Sequence, residues 1–167
     1  AEDGEGISRW VNGVGPEEQK VDKTLAQGLT PGSRRYTLYF PLYNGVDKME
    51  IGVEKGNLFN PLHPRKEKPI LFYGTSIMHG ACASRPGISF PAILGRRLGR
   101  PIINLGFDGN GIMEPEVASL LAELDPCVFV IDCLPNMKEK SVSERTIPLV
   151  KKLRETNNKT PILLVED

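Results

Sequence analysis

The sequence lacks an excess of charge of either sign. Its 167 residues carry 21 Lys and Arg against 21 Asp and Glu, so the formal net charge is zero. Binding to a phosphate backbone rests on a basic surplus, so nucleic acid is not expected as the main partner. Long hydrophobic runs are missing too. No apolar stretch approaches the roughly 20 residues of a membrane-spanning helix. No signal-peptide pattern is visible, and the sequence names no compartment; a periplasmic or extracellular one is preferred to the cytoplasm. Cysteine and histidine are scarce. Three cysteines, Cys82, Cys127 and Cys133, make an odd count, which excludes a complete disulfide framework. Cys127 and Cys133 flank one apolar run and stand too far apart to bridge along an extended strand. The thiols are expected to be buried or half-buried. No C-x-x-C or H-x-x-x-H spacing occurs, so no zinc site is expected. No metal or cofactor is implied.

What is present divides into two styles of pattern. Residues 1–58 read as β-rich. Arg35–Phe40 and Met49–Val53 are strand-like, with an Asn44-Gly45 hairpin signal between them. Ile7–Val14 and Val21–Leu29 are weaker strand candidates. The segment is expected to be a β-sandwich-like module that extends beyond residue 1. Residues 59–69 are rich in proline and charge and read as a linker; His63 is expected to be exposed within it.

After Pro69 strands and helices alternate. Ile70–Tyr73, Pro101–Leu105, Val128–Leu134 and Pro161–Val165 read as strands. Phe90–Leu98, Glu114–Leu124 and Ser141–Thr156 read as helices, with Pro115 suited to a first turn. Ser141-Val142-Ser143-Glu144 has the form of a capping box, and Pro148 predicts a kink or a late start. Such alternation implies a parallel sheet in an α/β fold over residues 70–167, with its active site at the carboxyl ends of the strands.

Chemistry-bearing residues gather at those ends. Ser76 follows the first strand, Asn104-Leu105-Gly106-Phe107-Asp108-Gly109-Asn110-Gly111 follows the second, and Asn136 follows the third. A serine can act as nucleophile, a glycine lets a backbone N–H approach a substrate, and an asparagine amide donates hydrogen bonds. Each has an ordinary structural role as well: Ser76 as a helix N-cap, Gly109 and Asn136 as turn residues. Gly106-x-x-Gly109-x-Gly111 reverses the spacing of a dinucleotide fingerprint, and Gly74-Thr75-Ser76-Ile77-Met78 is not a G-x-S-x-G elbow. Asp108, Asp132, Glu166 and Asp167 are read as caps, turn residues or substrate contacts, and Arg85, Phe107 and Met113 as candidates for the pocket lining.

Gly74-Thr75-Ser76, the turn containing Gly109, and Asn136 together resemble the first three blocks of the SGNH, or GDSL-like, esterase and acylhydrolase family. The branch resembled is the one in which a β-sandwich module precedes the hydrolase domain. The resemblance implies a three-layer flavodoxin-like α/β domain. It also implies a serine ester hydrolase acting on a small acyl ester, such as an acetyl group on a carbohydrate. Ser76 is implied as nucleophile, with an oxyanion hole of the Ser76 N–H, the Gly109 N–H and the Asn136 side chain. Thr75 stands where the family's name motif has Asp.

The family's Asp-x-x-His block has no counterpart here, since neither His63 nor His79 lies in such a spacing. The resemblance therefore implies a truncated domain, nearly inactive alone and prone to self-association through an incomplete sheet. His79, three residues after Ser76, could share a helical face with it but has no evident orienting partner, so a loop or pocket-rim role is expected. A second reading is a carbohydrate- or partner-binding protein whose SGNH-like domain is inactive.

Overall fold

The apolar run from Ile70 forms the first strand, β1 (Ile70–Gly74), and every residue of it is buried. It is followed by β2 (Ile102–Gly106), β3 (Val128–Asp132) and β4 (Ile162–Leu164). All pairings are parallel and the order is β2-β1-β3-β4. A parallel strand flanked by two others and covered on both faces needs no polar alternation, which is why β1 and β3 read as continuous apolar runs.

This computed structural model describes residues 1–2, 6–15 and 17–166. The chain comprises two compact units, Ala1–Phe40 and Pro41–Asp167. In the second, side chains alternate across the sheet into two cores. Leu71, Tyr73, Phe129 and Ile131 pack on one face with Ala118, Leu121 and Ala122 of α3 (Pro115–Ala122) and Leu149 and Leu153 of α4 (Glu139–Thr156). Ile70, Phe72 and Val130 pack on the other face with Met78 of α1 (Ser76–His79) and Phe90 and Leu94 of α2 (Phe90–Arg97). Each fully buried side chain of this kind contributes about 1.5–3 kcal/mol of transfer free energy. The result is the parallel sheet that the alternation implies, in the three-layer α/β arrangement that the resemblance implies, with helices on both faces of the sheet.

Local signals place the helices well. Pro115 occupies the first turn of α3, where its fixed φ is favourable and its missing N–H is not needed. The capping-box expectation for α4 fails. The helix starts at Glu139 with Lys138 as N-cap, so Ser141 lies inside it. Pro148 is accommodated within the helix, while Leu149 and Leu153 of the same helix are buried in the core. Burial of that apolar face outweighs the lost backbone bond.

The strand expectations before the linker are not met. No strand forms at 35–40 or 49–53, nor at 7–14 or 21–29; the described residues hold only isolated bridges from Glu2 to Ser8 and to Arg35. Asn44 lies in a bend and not in a hairpin. Strand propensity expresses fit to a half-buried pleated surface, and these segments have none. Tyr36, Leu38, Ile51 and Val53 are all exposed. A lone hairpin is marginal in water in any case. His63 is exposed, and Asp167 lies outside the described residues.

Candidate active site

Gly74 is in register with Gly106 on one side and with Asp132 on the other. The chain therefore leaves β1, β2 and β3 at one level of the sheet. β1 is followed by a neighbour on one side, and the next strand, β3, returns to its other side. This reversal is a topological switch point, where open parallel sheets bind their ligands.

Beyond β1, Thr75 is fully buried and is the N-cap of α1. Its Oγ1 accepts the Ile77 N–H at 3.2 Å. The capping role that a serine here could have served thus belongs to its neighbour. Ser76 is the first helical residue and is half-buried. Its hydroxyl has no hydrogen-bond partner among the described residues, and its N–H has no acceptor among them. The first turn of a helix leaves such N–H groups unpaired.

Beyond β2, the Phe107 N–H returns to the Gly74 carbonyl at 2.8 Å, and a three-residue 3₁₀ turn follows, Asp108–Asn110. Asp108 is left-handed, with φ 52°. Two close approaches require glycine. A Cβ on Gly106 would lie 2.2 Å from the His79 nitrogen, and one on Gly111 would lie 2.0 Å from the Gly74 oxygen. Gly109 differs. It is exposed, its φ is not positive, and an added Cβ would meet nothing within 4 Å. Neither the turn nor the packing demands a glycine there. The Gly109 N–H also has no acceptor among the described residues.

Beyond β3, Asn136 closes a second 3₁₀ turn, Leu134–Asn136, and its Nδ2 donates to the Asp108 carbonyl at 2.6 Å. That carbonyl belongs to the peptide unit whose nitrogen is that of Gly109. The structure thus brings the second and third loops into contact through this one peptide. In a trans peptide the C=O and N–H point in opposite directions. The bond therefore sets the Asn136 amide and the Gly109 N–H on opposite edges. Asn136 keeps a second N–H, and letting go of Asp108 frees the first. α1 packs against β2 and the Asp108–Asn110 turn, which holds Ser76 to the same end of the sheet. The Asn104 amide fastens this packing by donating to the Met78 carbonyl at 3.1 Å and accepting the Gly106 N–H at 3.1 Å.

His79 is engaged elsewhere. Its Nε2–H donates to the Leu42 carbonyl at 2.5 Å, and its ring lies 4.4 Å from that of Tyr43. Its Nδ1 is buried without a partner among the described residues. Neither nitrogen bonds Ser76. Among the suggested lining residues, Phe107 is 39% exposed and sits edge-on to Tyr73, whereas Met113 is 4% exposed and belongs to the core. Arg85 is half-buried.

Sequence reading missed the support beneath these loops. Met113 is left-handed at φ 57°, a conformation a methionine does not signal. Tyr73, fully buried, donates its hydroxyl to Glu114. Burial, and after it this bond, raises the Tyr73 hydroxyl well above its ordinary value. Burial likewise pushes the Cys133 thiol up to about 12. That removes Cys133 as a rival nucleophile, since the thiolate is the reactive form. Cys127 is half-buried, but Cys82, expected inside, is exposed.

Residues 67–167 match the model of the GDSL-like Lipase/Acylhydrolase family. The chain belongs to this family. Residues 1–59 of this GDSL-like chain match a second model, described as the N-terminus of Esterase_SGNH_hydro-type. A Bacteroides ovatus protein assigned as a GDSL-like lipase, solved at 1.40 Å resolution, is 47% identical with a TM-score of 0.57; the match covers 59% of this chain and 29% of that one. The salicylyl-acyltransferase SsfX3 of a tetracycline biosynthetic pathway is 23% identical with a TM-score of 0.53, over 60% of this chain and 30% of that one. The second likeness concerns the fold alone. No curated protein matches the chain. The family is one of lipases and acylhydrolases, and this chain carries the all-parallel sheet flanked by helices.

Proposed function

We propose that Ser76 is the nucleophile of a serine ester hydrolase that cleaves small acyl esters, an O-acetylated carbohydrate being one substrate of that class. In this reading residues 1–58 form an N-terminal module, 59–69 a linker and 70–167 hydrolase domain. The observation that carries it is the division of labour at the first loop. Thr75 takes the capping bond and Ser76 keeps a hydroxyl with no structural task. Attack by Ser76 Oγ on the ester carbonyl gives a tetrahedral intermediate. The donors for its oxyanion are the Ser76 N–H, the Gly109 N–H and the Asn136 amide, which turns from the Asp108 carbonyl to the substrate. A base takes the Ser76 proton and passes it to the departing alcohol, leaving an acyl-serine, which water hydrolyses to the free acid and Ser76. The open space at Gly109 supports this assignment, since neither packing nor backbone geometry blocks a substrate from approaching its N–H.

A serine nucleophile needs a base, and the histidines of this chain do not serve. His63 is exposed in the linker, and His79 is bound to Leu42. The base is proposed to come from elsewhere in the full-length protein, and residues 1–167 alone are expected to be nearly inactive. Among the described residues no base contacts Ser76, which is also what favours the second reading, an inactive binding relative. Covalent labelling decides. The full-length protein should react with a fluorophosphonate at Ser76 and hydrolyse an aryl acetate, and Ser76→Ala should abolish both. Turnover that survives Ser76→Ala would remove the assignment, and wild-type protein that neither labels nor turns over favours the binding reading. Asn136→Ala should lower kcat by roughly 10²-fold, the scale of one lost oxyanion donor; an unchanged kcat removes Asn136 from the mechanism.

A further inference from the structure

We infer that Glu114 is a positioning residue that locks the turn carrying Gly109 to the strand that leads into Ser76, an inference that rests on the site proposed above. One carboxylate oxygen, Oε2, accepts both the Tyr73 hydroxyl and the Ile112 N–H, the latter at 3.1 Å. The Glu114 N–H reaches back to the Tyr73 oxygen at 3.4 Å. On the other side, the Ile112 carbonyl accepts Arg145 Nη1 of α4 at 3.0 Å. Both peptide units of Ile112 are therefore pinned, one to β1 through Tyr73 and one to α4.

The pinned segment leads directly into Met113. Its left-handed backbone is unfavourable for a residue with a side chain and persists only where the surroundings over-determine it. The clamp, the buried Met113 side chain and the Thr146 hydroxyl 3.5 Å from its sulfur supply that constraint. On the N-terminal side the same segment leads through Gly111, seated on the Gly74 carbonyl, to Gly109. Tyr73 stands three residues before Ser76. The clamp thus ties nucleophile and oxyanion donor together without touching either. Its chemistry requires a side chain that accepts two hydrogen bonds. A carboxylate does so, a glutamine carbonyl can, and alanine cannot.

The test uses the full-length protein, an aryl acetate and a fluorophosphonate whose end-point labelling counts competent sites. Glu114→Ala should lower kcat per labelled site by about 10- to 100-fold, the scale on which small misplacement costs rate, with KM within about twofold. Glu114→Gln should recover kcat to within about threefold of wild type, because it keeps the shared acceptor. A kcat per labelled site equal to wild type in Glu114→Ala overturns the inference. So does a loss of activity that only tracks a loss of labelled sites, since that is a folding defect. If Glu114→Ala does not fold, Tyr73→Phe decides, as it removes the hydroxyl at the centre of the clamp. A fall in its kcat per site of about fivefold upholds the clamp, and no fall overturns it. Ser76→Ala is run alongside. If it keeps turnover the site itself is wrong, whereas a dead Ser76→Ala with a fully active Glu114→Ala condemns the clamp alone.

Discussion

Two segments with similar strand signals have opposite fates in this molecule. Ile70–Gly74 and Arg35–Phe40 are both rich in aromatic and branched residues, yet the first is buried throughout and the second forms no ladder. What separates them is company. β1 has a hydrogen-bonded neighbour on each edge and a packed core on each face. Arg35 joins no ladder, making an isolated bridge and an ion pair to Glu2, while Tyr36 and Leu38 remain about half exposed, at 52% and 50%. A strand is a property of its neighbours as much as of its own residues.

That contrast is open to measurement. The largest effect is expected from core truncation: Phe129→Ala, at a fully buried position, should lower the unfolding free energy by about 3–5 kcal/mol, and Leu38→Ala by less than about 1 kcal/mol, in denaturant titrations. Equal effects would mean that the segment at 35–40 is ordered as tightly as β1. Next come the glycines. Gly106→Ala would drive a methyl group into the backbone of His79 and should cost about 3 kcal/mol, whereas Gly52→Ala meets open space and should stay within about 0.5 kcal/mol.

Per pH unit, a smaller effect comes from alkali. The Cys133 thiol is held up to about 12, so the folded chain keeps a proton that the unfolded chain releases from about 9. Stability from this group is complete below about pH 9 and declines, by up to about 1.4 kcal/mol per pH unit, until about pH 12. Cys133→Ala should flatten that decline, and an unchanged slope would refute the assignment. Exposed Cys82 should react with a thiol reagent in the native protein well before Cys133 does. The smallest effect is expected at the cap. Thr75→Ala should cost about 1 kcal/mol, the value of a lost N-cap bond, while Ser76→Ala should barely move the midpoint.

The parts legible in the sequence are those set by near neighbours in the chain. The alternation after Pro69 gives the parallel sheet, and Pro115 marks the start of α3. Ser76, Gly109 and Asn136 are readable as strand-end residues because the pattern fixes where each strand stops. The illegible parts depend on distant partners. Nothing near Glu114 announces that its carboxylate meets Tyr73, 41 residues earlier. The choice between Thr75 and Ser76 as cap turns on one residue of register, and the start of α4 at Glu139 was masked by a well-formed capping box at Ser141. The expected β-rich pattern failed for the complementary reason: local propensity was present and its partners were not.

The bond between Asn136 and the Asp108 carbonyl also bears on how the protein ages. Side-chain amides hydrolyse slowly in storage, turning asparagine to aspartate. At Asn136 that reaction would set a carboxylate oxygen against a carbonyl oxygen where a donor now sits at 2.6 Å. Two acceptors facing each other repel, so the Asp108–Asn110 turn would lose its tie to the third loop. The new negative charge would also lie where the proposed chemistry develops its own. A change of one mass unit would thus report the loss of this tie and, in the proposed chemistry, of one oxyanion donor.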